Sequence, residues 1–181
     1  DKNTYADPWV ARKAQEFVAV KVNTEGSRKD VDVAVRYHVN SLPTVVFLSP
    51  EGRQLFRMNG YQGPGRFPHT LEGALETARA VMSWEDALAR DPDDARALLA
   101  LGSHLFDQEY FDESRDLLQR AVARDGEAEL DERRRARMLL AIIEHVTRNF
   151  GEAERLVKEA LSLQPGPEDQ PKLLFVLGRT Y

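Results

Sequence analysis

Four histidines, one basic run and one proline-led apolar stretch are the parts of this chain whose groups could do chemistry. His38, His69, His104 and His145 are scattered without metal-ligand spacing, so they read as surface or packing residues and no metal site is expected. Thiol chemistry needs a cysteine, and the 181 residues contain none. Gly60-Tyr61-Gln62-Gly63-Pro64-Gly65 lacks the Gly-Lys-Ser/Thr ending of a phosphate loop and reads as a turn. No Gly-x-Ser-x-Gly elbow occurs and no carboxylate pair can be assigned to a shared cleft, so hydrolase chemistry has no support and no cofactor is expected. Arg133-Arg134-Arg135-Ala136-Arg137 follows Glu127, Glu129, Asp131 and Glu132, which predicts a solvated helix start with local ion pairs; contact with an acidic partner is the alternative.

The elements that must position these groups follow from periodicity. Pro43 cannot donate to a sheet ladder, so it opens a strand over residues 44–48, closed by a turn at Pro50-Glu51-Gly52. Residues 17–23 (Phe-Val-Ala-Val-Lys-Val-Asn) read as a second strand. Residues 28–37 between them carry Val31, Ala34 and Val35 at helical spacing. Residues 54–61 form a hairpin partner, and a Gly63-Pro64-Gly65 break leads to a helix from Pro68.

That order, with its Leu-Pro-Thr strand and Glu-Gly turn, resembles the second half of a thioredoxin-like domain over residues 1–80. The opening Asn3-Thr4-Tyr5-Ala6-Asp7-Pro8-Trp9-Val10 is similar to the stretch just after the active-site cysteines in exported disulfide-reductase relatives of thioredoxin. The resemblance implies that the Leu42–Pro43 bond is cis and that Leu42, Pro43 and Thr44 bind an extended substrate segment by strand pairing, the alternative being a proline that only sets the strand's entry angle; Trp9 and Tyr5 read as packing under a helix, with the rim of that groove as the alternative. It also implies a central strand between residues 17–23 and 44–48, leading to the redox cysteines. That strand is not in this sequence, and two strands buried around such a gap would leave backbone groups unpaired at about 1 to 3 kcal/mol each. The chain, which starts at Asp1, is read as a fragment whose upstream portion carries the cysteines. The alternatives are a degenerate domain that never had the chemistry, or one that borrows a strand from a partner chain.

Charge divides the molecule. Residues 1–67 carry ten Lys/Arg against seven Asp/Glu, net +3, and the remainder carries fifteen against twenty-three, net −8, within a total of −5. So small a basic excess, without interleaved aromatics, argues against nucleic acid as a partner. No apolar run is long enough to span a membrane.

The second half repeats itself. A shift of 39 residues pairs Leu101 with Leu140, Gly102 with Ala141, Phe111 with Phe150, Glu113 with Glu152, Leu117 with Leu156 and Ala121 with Ala160. Each unit is two helices broken near residues 107–111, with small residues allowing close approach. Ser83-Trp84-Glu85-Asp86 and Asn149-Phe150-Gly151-Glu152 are read as helix starts, the latter with capping-box spacing. The pattern resembles tetratricopeptide repeats, with copies at 95–128 and 134–167 and a partial copy at 171–181. Gly126 stands where proline ends such a repeat, and extra residues at 129–133 lengthen the join. The resemblance implies a binding groove formed by Arg96, Leu99, Ser103, Phe106 and Asp107 and by Arg135, Met138, Ile142, His145 and Val146. Leu99 and Ser103 replace the Lys and Asn of the family's carboxylate clamp, which implies a client segment or partner helix as occupant, the alternative being packing on the first domain.

The expected fold class is α/β plus all-α, a partial thioredoxin-like fold at 1–81 followed by a tetratricopeptide-type array at 82–181. The expected function is thiol-disulfide exchange or redox-linked chaperoning of client proteins or peptides, similar in architecture to chaperedoxins, in a bacterial protein with exported placement favoured. The alternative is a non-catalytic adaptor or holdase. No catalytic residue is assigned within the chain.

Overall fold

The computed structural model describes residues 6–124, 129–163 and 170–178. The chain divides into two compact units, Asp1–Val81 and Met82–Tyr181.

In the first unit, α1 (Pro8–Ala14) starts where Asp7 accepts hydrogen bonds from the Trp9 and Val10 amides at 2.8 and 3.2 Å, with proline at the position that needs no donor. α2 (Arg28–Arg36) starts at a reciprocal capping box between Ser27 and Asp30. β1 (Thr44–Leu48) and β2 (Gln54–Asn59) form an antiparallel pair in which Thr44 faces Asn59 and Phe47 faces Phe56, with an irregularity after Phe47. Their turn needs glycine: Gly52 has φ +85°, its amide donates to the Ser49 carbonyl, and its own carbonyl accepts from the Tyr37 hydroxyl at 2.9 Å. The Leu42–Pro43 bond is cis, as the resemblance implies. Val10, Phe47, Leu55, Met58, Phe67, Leu71 and Ala74 are buried.

One expectation fails in this unit. Residues 17–23 do not form a strand: β1 pairs with β2 in a two-stranded sheet, and Val18 and Val20 are 94% and 77% exposed. An extended segment becomes a strand only when an edge bonds to it, and none does so among the described residues. Phe17 is anchored, its ring centroid 5.4 Å from that of Phe47. The helix at Val31, Ala34 and Val35 exists, but of these three only Ala34 is buried. A two-stranded ribbon offers too little surface to cover the rest of that face.

α3 (Phe67–Arg90) is continuous through Ser83, so the helix start expected there is absent. Propensity explains this: residues 71–90 contain no proline and only Gly73, and a capping residue inside a run of good helix formers does not interrupt it. The second unit continues with α4 (Ala95–Asp107), α5 (Phe111–Ala123), α6 (Leu130–Val146), α7 (Phe150–Ser162) and α8 (Gln170–Gly178). Successive helices pack in pairs, and α4 and α8 also touch α6. Leu98, Leu118, Ile143, Val157 and Leu173 are fully buried, each contributing about 1.5 to 3 kcal/mol by leaving water. Gly102 makes the α4–α5 approach possible, because a Cβ there would lie 3.0 Å from Leu118 Cγ; the Ser114 hydroxyl donates to the Gly102 carbonyl at 2.7 Å.

The breaks between paired helices share one geometry. Glu109 and Arg148, 39 residues apart, both have φ +65°. Tyr110 N donates to Leu105 O and Glu109 N to Phe106 O, and Asn149 N to Glu144 O and Arg148 N to His145 O, so both helices close with a Schellman pattern built on a residue other than glycine. The side-chain cap expected from Asn149 on α7 is absent. Its side-chain amide instead donates to Glu144 Oε2 at 2.8 Å, because a buried carboxylate competes better for the donor. The residues read as a longer join are helical: α6 begins at Leu130, and the Glu132 carboxylate accepts from the Glu129 amide at 3.1 Å. The arginine run is not wholly solvated either. Arg134 and Arg137 are buried, paired with Asp131 at 2.6 Å and Glu159 at 3.3 Å, while Arg135 faces solvent. Tyr5, Gly126, Pro165 and Tyr181, and the Leu177 side chain, lie outside the described residues.

Candidate functional site

In the first unit, Leu42 stands two residues before β1 begins at Thr44 and is 67% exposed. The Pro43 carbonyl accepts from Gly60 N at 2.8 Å, and the Thr44 hydroxyl donates to Ser41 O at 2.6 Å while lying 3.1 Å from Asn59 Oδ1. Pro43 and Thr44 are thereby fixed from the β2 side, while Leu42 has neither a hydrogen bond nor an ion pair among the described residues. Trp9 is half-exposed and meets the His69 ring edge-on at 5.2 Å, so it serves packing between α1 and α3.

In the second unit, one face of α4 carries Arg96, Leu99, Ala100, Ser103, His104 and Asp107, the spacing of three and four that puts residues on one side of a helix. With Trp84 of α3 and Asp131, Glu132 and Arg135 of α6, these side chains line a cavity of about 480 Å³. The Trp84 and His104 rings are 6.2 Å apart, tilted by 53°. Arg96 Nε lies 3.6 Å from Glu132 Oε1, and Asp131 holds Arg134, so two of the three carboxylates are already engaged. Asp107 and Arg135 have no ion pair among the described residues. The Ser103 hydroxyl oxygen is buried and has no hydrogen-bond partner among them, in a residue that is 7% exposed. A buried hydroxyl in that state forfeits about 1 to 3 kcal/mol until something reaches it.

Of the residues expected to line a groove, the cavity gathers Arg96, Leu99, Ser103, Asp107 and Arg135. The others serve elsewhere. Phe106 packs on Phe111 at 5.7 Å, Met138 and Ile142 lean on the core, and His145 lies 5.4 Å from the Phe150 ring. Val146 is 54% exposed outside the cavity. Sequence reasoning misses Ala100 and His104, which fall four and eight residues after Arg96 and are legible by spacing alone. It misses Asp131 and Glu132 because they resemble a join, and Trp84 because a helix start is expected beside it. Among the described residues no cluster of His, Cys, Asp or Glu could hold a metal, and no helix is long and apolar enough to cross a membrane.

Comparison with known families gives two matches. A family model described as a thioredoxin-like domain matches residues 4–75, and one described as a tetratricopeptide repeat matches residues 70–129 and again 105–169. No curated protein matches the chain.

Proposed function

We propose a client-binding role on one premise: the chain belongs to the tetratricopeptide-repeat family and carries a thioredoxin-like domain ahead of its repeats. The two domain types support a redox-related or protein-interaction role. The repeats recruit a segment of a client polypeptide, and the thioredoxin-like domain engages extended chain at Leu42, Pro43 and Thr44, as redox-linked chaperoning would require. The observation that carries the reading is the cavity on α4, where apolar walls, two charges without an ion pair and an unsatisfied hydroxyl meet. Apolar walls with a few convergent polar groups are what a specific binding site needs.

These 181 residues contain no cysteine, so they supply no thiol of their own. Thiol–disulfide exchange would draw on a cysteine pair from outside them. Without such a pair the same groove makes a non-catalytic holdase or adaptor.

The test uses a fluorescently labelled, reduced and carboxymethylated protein that cannot refold. Anisotropy should report saturable binding, and Ala100→Glu, which puts a charge on the apolar wall of the α4 cavity, should weaken it about tenfold while helical circular dichroism is kept. Binding unchanged by Ala100→Glu, or no binding at all, overturns the reading. Insulin reduction by the protein expressed from its whole reading frame separates redox chaperoning from holding alone.

A further inference from the structure

The pairing of charges around the α4 cavity narrows what the proposed client-binding groove accepts. Glu132 stands against Arg96 and Asp131 against Arg134. That leaves one cation, Arg135, and one anion, Asp107, with no ion pair among the described residues, both lining the same cavity. Arg135 stands one helical turn along α6 from Glu132, whose carboxylate meets Arg96 at 3.6 Å near the start of α4, and Asp107 ends α4 eleven residues after Arg96, about 16 Å at 1.5 Å per residue. Five residues of extended chain cover about the same distance. Between the charged ends lie Leu99 and Ala100, the tilted Trp84–His104 pair and the buried Ser103 hydroxyl.

We propose that this cavity selects an extended polypeptide segment of about five residues with opposite charges at its ends and a hydroxyl-bearing ring between them. Resting on the client-binding reading, the assignment matches every group of the segment to its own receptor: a carboxylate to Arg135, a tyrosine ring to Trp84 and His104 with its hydroxyl on Ser103 Oγ, and an ammonium or guanidinium to Asp107. A tyrosine suits the middle because its apolar body matches Leu99, Ala100 and the Trp84 ring while its polar tip matches the unsatisfied Ser103 hydroxyl beside them. The net −8 of residues 68–181 disfavours a polyanionic occupant such as nucleic acid.

The experiment reads Trp84 fluorescence, excited at about 295 nm where tyrosine does not absorb, in the full 181-residue chain carrying Trp9→Phe. The probes are end-blocked peptides: Glu-Ala-Tyr-Ala-Lys, the reversed Lys-Ala-Tyr-Ala-Glu, the neutral Gln-Ala-Tyr-Ala-Gln, and each charged peptide with phenylalanine for tyrosine. One charged direction should bind about fivefold or more tighter than the neutral peptide, and tyrosine about fivefold tighter than phenylalanine, each near 1 kcal/mol. Arg135→Gln should erase the gain from glutamate alone, Asp107→Asn the gain from lysine alone, and Ser103→Ala the preference for tyrosine. Equal affinity for charged and neutral peptides, or variants that weaken all peptides alike, overturns the proposal. If the carboxymethylated protein still binds in that case, the client-binding reading stands and only its selectivity fails; if it does not bind, both fall.

Discussion

Replacing Arg115 by methionine tests how the two repeats are joined. Arg115 of α5 donates from Nε to Glu144 Oε1 of α6 at 2.8 Å, from Nη2 to the Thr147 hydroxyl at 3.1 Å, and from Nη1 to Asp112 at 2.9 Å. Its side chain is 23% exposed and that of Glu144 only 6%. Burial works against the guanidinium's charge, yet the hydrogen bonds and charges of Glu144 and Asp112 hold its pKa above the ordinary arginine value. Removing one member of a buried pair costs about 3 to 5 kcal/mol, because the other is left charged and unpaired. Here Asn149 keeps one hydrogen bond to Glu144, which places the expected loss near the lower end, about 3 kcal/mol. For a unit of about 100 residues each kcal/mol moves the melting temperature by about 4 to 8 °C, so Arg115→Met should lower it by about 12 °C or more. Urea titration followed by far-ultraviolet circular dichroism measures the free energy directly. Adding Glu144→Leu should restore stability to within about 1 kcal/mol of the parent, since two apolar groups leave no buried charge. A single variant within about 0.5 kcal/mol of the parent, or a double variant no better than the single one, refutes the reasoning.

Other expectations rest on single contacts. Gly102→Ala should destabilise the chain by about 1 kcal/mol, the crowding against Leu118 exceeding the gain in helix propensity. Pairing it with Leu118→Val should be less harmful than the sum of the two, because the second repeat holds Ala141 and Val157 at the same two positions; additivity in urea titrations would sink this account. The hydrogen bond from Arg155 holds the Glu152 pKa below the usual carboxylate range, although burial opposes it and the guanidinium's charge helps. A depressed folded pKa contributes stability above the unfolded carboxylate value, near 4.3, and loses it as pH falls through the folded value. Arg155→Gln should move the Glu152 titration upward in carboxyl-carbon NMR and leave stability at pH 7 nearly unchanged, because both side chains are more than one third exposed. Tyr37→Phe removes the hydroxyl that holds the Gly52 carbonyl and should cost about 1 kcal/mol; hydrogen exchange at the Ser49–Arg53 turn should speed up with it.

Elements are more legible than their environments. The helix over residues 28–37, the proline-led hairpin and the 39-residue recurrence can all be read directly, since periodicity and turn chemistry are local properties of the chain. Glu109, Arg148 and His38 are silent, because a positive φ is advertised by glycine and these residues adopt it only when a Schellman closure demands it. For the cavity, the α4 stripe can be read in full from spacing. The contribution of α6 cannot, because Asp131 and Glu132 look like an insertion until an extra helical turn carries them onto the same wall.

Sequence by itself determined the kinds of element and their order: a proline-led strand with its hairpin, then helices recurring every 39 residues, in a chain without a sulfur nucleophile. Those outcomes rest on dihedral preference, periodicity and composition, which act over a few residues. Tertiary structure decided which expected strand found an edge to bond, which arginines left water, and which charges near the α4 cavity stayed without a counter-charge. Each of those depends on what stands across a gap of a few ångströms, contributed by residues tens of positions away, and no local pattern encodes it.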